Sequence, residues 1–143
     1  MDKILIILLY VLLGATTGIQ KLMGPFPPIW FSEKFKDSII GLFPGGIPLS
    51  FAIIIFLELA IAASFLAALI KKECRNESAK TFSRLGFNAS LILFLILFFG
   101  SFLVQDYDNG FFDFTYFGIT IFLMKYYFKE EGRSISNNQN WEK

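Results

Sequence analysis

The sequence predicts an all-α integral membrane protein: a four-helix transmembrane bundle with a short amphipathic interfacial helix between the first and second spans. Three observations lead there. Of 143 residues, 55% are hydrophobic and only 17% are charged, with a mean hydropathy of +0.57. A soluble domain of this size has too little interior to hide so much apolar surface. The apolar residues also fall into four long runs, and the basic residues are shared unevenly between the segments that join them.

Residues 4–22 form the first run. It follows Lys3 as a secretory leader would, but it is long for the apolar part of one, and "ATTGIQK" offers no small-x-small cleavage site. It is therefore read as a span. Within it, "GATTG" sets Gly14 and Gly18 four residues apart, a spacing that lets two helix backbones approach closely in lipid. The second run, 47–70, carries small residues at Ala60, Ser64 and Ala68, so the two seams are expected to face each other. Runs 85–104 and 111–128 complete the set. A hydrocarbon core about 30 Å thick takes roughly 20 apolar residues, and the fourth run, of about 18, is within range. The tail, 129–143, is polar and expected to be mobile. Residues 1–143 thus read as one membrane domain.

Orientation follows from charge. With the N-terminus inside, the cytoplasmic side holds Lys3, the five basic residues of "KKECRNESAKTFSR", Lys125, Lys129, Arg133 and Lys143. Only Lys21, Lys34 and Lys36 of the 13 Lys and Arg residues fall outside. This bias obeys the positive-inside rule and predicts cytoplasmic N- and C-termini in the cell membrane. The lipid bilayer is the expected surrounding. With a net charge of +1 and a basic loop explained by topology, no nucleic-acid partner is expected.

The loop "MGPFPPIWFSEKFKDSIIGLFPGG" joins the first two runs. Pro25, Pro27 and Pro28 forbid continuation of the first helix. Ser32 is a candidate N-cap, and Phe31, Phe35, Ile39 and Leu42 recur at helical spacing, with Glu33, Lys34, Lys36 and Asp37 on the other faces. With Trp30 as an anchor, this predicts a short amphipathic helix in the outer headgroup zone. It either caps the bundle or forms a lateral gate or docking surface for a lipid-soluble ligand.

Histidine is absent, and Cys74 is the single cysteine. Histidine-ligated haem, histidine metal sites and histidine-assisted nucleophilic catalysis therefore lack their residue. One cysteine cannot close an intrachain disulfide, so Cys74 reads as a reduced loop thiol. In "QDYDNGFFD", Asp106, Asp108, Asn109 and Asp113 do not have calcium-loop spacing; with Gly110 they read as turn chemistry, and no metal site is expected.

Four polar residues remain as ligand-binding or proton-handling candidates: Glu58, Lys21, Gln20 and Asp113. Glu58 lies eleven residues beyond Ile47, some 16 Å down a helix that rises about 1.5 Å per residue. That is close to mid-membrane, where a charge must face the bundle interior, paired or protonated. Lys21 closes the first run and Asp113 opens the fourth, both on the outer side. Glu58 is then either neutral and hydrogen-bonded or ionised opposite Lys21, with Gln20 adding amide donors and an acceptor. The group forms either a polar lock between two helices or a site.

The stretch "TGIQKLMG", residues 17–24, resembles the first-helix motif of the DoxX-like family, small four-helix membrane proteins of bacteria and archaea. Gly18, Lys21 and Gly24 fit that motif, Thr17 stands where histidine is usual, and Glu58 in "FLELA" is similar to the family's acidic residue in the second helix. The resemblance implies a membrane subunit of a quinone-linked redox complex in the bacterial cytoplasmic membrane. Glu58 would handle a proton while Lys21 and Gln20 bind a quinone oxygen. With no redox group of its own, the chain would take electrons from a partner protein. Thr17 cannot carry a proton as the family histidine would. A second class stays open: a non-enzymatic small-solute permease or membrane assembly factor, with Glu58 as a structural lock. A bundle this thin would transport only as a homo-oligomer, through its small-residue faces.

Overall fold

A computed structural model describes residues 2–73 and 80–129, and every regular element among them is a helix. Four are long: α1 (Asp2–Met23), α4 (Gly46–Ile70), α5 (Thr81–Leu103) and α6 (Tyr107–Phe128). Between α1 and α4 lie the short α2 (Ile29–Phe35) and α3 (Ile39–Leu42). Cys74, Arg75 and the tail 130–143 lie outside the described residues.

α1, α4 and α5 are each long and apolar enough to cross a membrane. α4 is apolar all round: Phe51, Ile55 and Phe65 are buried, yet Leu49, Phe56 and Leu66 are exposed. A helix of that kind belongs in lipid or in a protein core, not at a water interface. Exposed Leu5, Leu9 and Leu12 on α1, and Leu85, Ile92 and Phe99 on α5, extend the same surface. These surfaces mark a membrane protein. α6 matches α1 in length, at 22 residues, but carries Asp108, Asp113 and Lys125.

The long helices pack in chain order, α1 on α4, α4 on α5 and α5 on α6. The ring closes where the hydroxyls of Tyr10 and Thr120 meet at 2.7 Å, both buried, between α1 and α6. An aromatic core lies beside this contact. Tyr10 stacks on Phe65 with centroids 5.0 Å apart, and Phe87 meets Phe65 edge-on at 5.1 Å. α5 reaches the Phe65 ring at Gly86, where a Cβ would lie only 2.8 Å from a ring carbon.

α1 and α4 make the tightest contact. A Cβ on Gly14 would lie 2.6 Å from the Glu58 carbonyl oxygen and 3.3 Å from Ala62 Cβ, and one on Gly18 would lie 3.0 Å from Leu59 Cδ2. The seam of α1 therefore works as expected, but its partner differs. It seats on Glu58, Leu59 and Ala62, whereas Ala60 is only half-buried and Ser64 and Ala68 are buried elsewhere on α4. Residues two apart on a helix point about 200° apart, so Ala60 cannot share a face with Glu58.

Three local expectations are corrected. The interhelical loop forms two short helices: Phe31 and Phe35 are buried, while Ile39 and Leu42 are exposed. The break falls at Ser38, whose hydroxyl donates to the Phe35 carbonyl at 2.7 Å. There the chain doubles back so closely that a Cβ on Gly41 would sit 2.3 Å from the Lys36 carbonyl oxygen. Second, α2 begins after Pro28, with no side-chain cap, so Ser32 is internal and caps nothing. Third, α6 starts at Tyr107, earlier than the apolar run, because Asp106 caps it by accepting from the Asn109 amide at 3.3 Å. Asp113 lies nearly two turns inside α6 rather than at its start.

The ends of α4 and α5 share a device. Lys72 and Gln105 adopt left-handed φ values of 55° and 57°, and the next amides bond back to Ala68 and Ser101 at 3.0 and 2.9 Å. This is the Schellman stop, made here without glycine.

Gly14→Val should force α1 off the Glu58 carbonyl and lower stability by about 1–3 kcal/mol, as overpacking does. Gly118→Val is the control, because nothing lies within 4 Å of its Cβ position. Thermal unfolding in detergent should show a lower midpoint for the first variant than for the second.

Candidate functional site

The site originates in where α1 stops. Pro25, Pro27 and Pro28 end the helix at Met23. The register set by Gly14 and Gly18 brings Met23 level with about residue 54, so α4 rises roughly 12 Å beyond α1 at 1.5 Å per residue. The space left above α1 is partly filled by α2, whose Phe31 packs on Phe51 at 4.9 Å and on Phe35 at 4.7 Å.

What remains is a cavity of about 510 Å³. Lys21 of α1 lies at its inner end, and Trp30, Phe31, Lys34 and Phe35 of α2 cover it. Ser50, Phe51, Ile53 and Ile54 of α4 face Ile96, Leu97, Phe99, Gly100 and Ser101 of α5 across it. Asn109 and Asp113 of α6 complete the lining. Mostly apolar walls with a few convergent polar groups are the usual make-up of a small-molecule site.

Each charged group at the cavity has an identifiable partner. Lys21 Nζ donates to Glu58 Oε1, forming an ion pair in which the carboxylate side chain is only 5% exposed. The other oxygen, Glu58 Oε2, is buried without a hydrogen-bond partner among the described residues. A buried acceptor left unmet costs about 1–3 kcal/mol, so it stands ready for a donor. At the outer rim, Lys34 Nζ donates to Asp106 Oδ2, which also accepts from Asn109 Nδ2 at 2.6 Å. The bond from Lys34, then those from Asn109, hold the Asp106 carboxyl at about 2, below its ordinary 3.8. Asp113 accepts from Ser101 Oγ at 3.0 Å.

Of the four predicted residues, Glu58 and Lys21 are directly joined, and Asp113 shares the cavity with Lys21. Gln20 is the exception. It is exposed and makes no hydrogen bond to Glu58; instead it lines a second cavity of about 310 Å³ with Thr17, Gly24 and Pro28, which borders the first at Lys21 and Trp30. The cause is rotational, since Gly18 faces α4 and Gln20 points about 200° away from it. Thr17 also borders that smaller cavity, but its hydroxyl is spent on the Leu13 carbonyl at 2.7 Å.

Sequence reasoning missed the buried polar group at the other end of the bundle. Glu73, 3% exposed, accepts from the Phe82 and Ser83 amides at 3.1 and 2.8 Å and from the Ser83 hydroxyl at 2.8 Å. It caps α5 from ten residues upstream, which no local capping pattern signals. The Tyr127 hydroxyl joins the group through Ser83 at 3.0 Å. Every one of these contacts secures a helix end. The Tyr10–Thr120 pair was missed as well; its only sign was a hydroxyl-bearing ring inside an otherwise aliphatic stretch.

The chain matches no protein-family model, and no curated protein or solved structure matches it either.

Two outcomes follow. Removing one partner of the buried pair strands the other, so Glu58→Met or Lys21→Met alone should cost about 3–5 kcal/mol, while the double variant recovers most of that. Unfolding free energies in detergent for the four proteins measure the coupling. At the rim, the folded state holds the Asp106 carboxyl below its unfolded value. The stability this lends is complete above pH 3.8 and is lost as pH falls through about 2. A carboxyl-carbon NMR titration should place the Asp106 midpoint at about 2 and move it upward in Lys34→Ala.

Proposed function

We propose that this chain is the membrane subunit of a quinone-linked redox complex, binding its quinone in the cavity beyond Lys21. The observation that carries this reading is an apolar, ligand-sized space whose inner end is an ammonium group held by a buried carboxylate. A quinone presents an apolar body and carbonyl oxygens, which suit those walls and that donor. Lys21 keeps two of its three N–H donors after pairing with Glu58. The likeness of Gly18, Lys21, Gly24 and Glu58 to the DoxX-like pattern points the same way.

In this reading α6 is a fourth span, both termini are cytoplasmic, and α2 with α3 lies in the outer interface. Support comes from the length of α6, its packing along α5 and the basic residues concentrated at the opposite end from α2. Reduction of the quinone to quinol takes up two electrons and two protons. The electrons come from a docked redox protein, since this chain supplies no redox group. Lys21 binds and polarises a carbonyl oxygen, while Glu58 holds Lys21 in place and exchanges protons through it.

A second reading has its own observation. Gly14 brings α1 against the Glu58 carbonyl at the level of the ion pair, as a helix-to-helix lock would. The protein would then be an assembly factor or a permease built from several copies.

Gentle solubilisation and extraction separate the two. Quinone should co-purify with the wild type and fall roughly tenfold in Lys21→Ala and Glu58→Gln, the worth of one charge-assisted hydrogen bond. No quinone from any of them, with the variants only less stable, would make Glu58 a lock.

A further inference from the structure

The cavity has two rims of opposite character. Five residues line it and are nevertheless exposed: Asn109 and the four apolar residues Trp30 at 59%, Ile53 at 42%, Ile96 at 37% and Phe99 at 61%. Asn109 belongs to the outer rim, whereas Ile53 of α4 lines the cavity together with Ile96 and Phe99 of α5. The outer rim is polar: Lys34 ties α2 across it to Asp106, the N-cap of α6, which also accepts from Asn109. One side is thus fastened by an ion pair, and the other opens onto the surface that lipid covers.

The charges limit what can be admitted. Lys21 is matched by Glu58 and Lys34 by Asp106, so an anionic head would find no unmatched ammonium. A cationic head drawn to Asp113 would share the cavity with the Lys21 and Lys34 ammonium groups. A carbonyl oxygen faces neither obstacle, because each lysine retains N–H donors after pairing.

From these observations we infer that the cavity is loaded sideways from the bilayer, between the outer halves of α4 and α5. Its ligand is a lipid-soluble molecule with an uncharged, hydrogen-bond-accepting head. This rests on the cavity being a ligand site, and it adds the route and the charge class of what enters.

Trp30, at the opening, reports on both. Trp141→Phe leaves it as the single tryptophan, and decyl-1,4-benzoquinone quenches tryptophan on contact. The protein in lipid nanodiscs is titrated with that quinone, then challenged with 2-dodecanone, dodecanoate or dodecyltrimethylammonium at equal mole fraction in the lipid. The ketone should displace the quinone, and both charged amphiphiles should need roughly tenfold more. Gly100→Leu should weaken quenching roughly tenfold, because a Cβ there already lies 3.6 Å from the Phe35 ring and further atoms narrow the cavity. Ile96→Glu, which sets a charge in the opening, should slow the approach to full quenching by a similar factor. Gly118→Leu, which nothing adjoins, should behave as wild type.

A charged amphiphile that competes as well as the ketone overturns the charge class. An unchanged rate in Ile96→Glu overturns the lateral route, with quinone binding left standing. Absence of saturable quenching in the wild type overturns both the inference and the quinone reading beneath it.

Discussion

The ion pair between Lys21 and Glu58 is the constraint on which the rest of the molecule depends. A carboxylate about 18 Å from either end of α4 has no water to satisfy it, so another helix has to bring it a partner. Lys21 reaches it only because α1 lies almost backbone to backbone on α4, which Gly14 and Gly18 permit. The same contact sets the register of the two helices. Because proline ends α1 two residues after Lys21, the register also decides how much of α4 is left without a neighbour. The cavity is the geometrical result of that shortfall, and α2 is the element that partly makes it good.

A bundle in lipid must also meet the polar demands of its helix ends, and at α5 and α6 carboxylates do so. Glu73 caps α5 from across a loop, and Asp106 caps α6 while holding Lys34 of α2. The Tyr10–Thr120 pair joins the first and last long helices where aliphatic packing alone would leave their rotation free. Such contacts are favoured because an unmet donor or acceptor is expensive away from water. Against that background, the unmet Oε2 of Glu58 stands out among the described residues, and it belongs to a buried carboxylate whose partner opens onto a cavity.

Much of this was legible in the sequence. Run length and composition identify the long helices, and the cost of a charge in mid-membrane is enough to pair Glu58 with Lys21. Its inconsistency was also legible. If Glu58 faces α1, then Ala62, one turn on, faces it too, and Ala60 cannot; the seam Ala60, Ser64 and Ala68 is a different stripe of α4. The same helical arithmetic separates Gln20 from Glu58. Other features had no local sign. The break at Ser38 depends on how closely the chain can fold back at Gly41, and Glu73 caps a helix that starts eight residues later. The cavity itself follows from the stagger of two helices, which no single stretch of sequence carries.

The central claim is that the space beyond Lys21 holds a quinone. Its most direct test is labelling with a photoreactive, azido-substituted quinone in native membranes, with the modified residues mapped by mass spectrometry. The account predicts adducts on α2 and on the outer halves of α4 and α5, around Trp30, Ser50 and Phe99, suppressed by excess unlabelled quinone. Adducts scattered over the lipid-facing surface of α1 and α6, or unaffected by competitor, would contradict it.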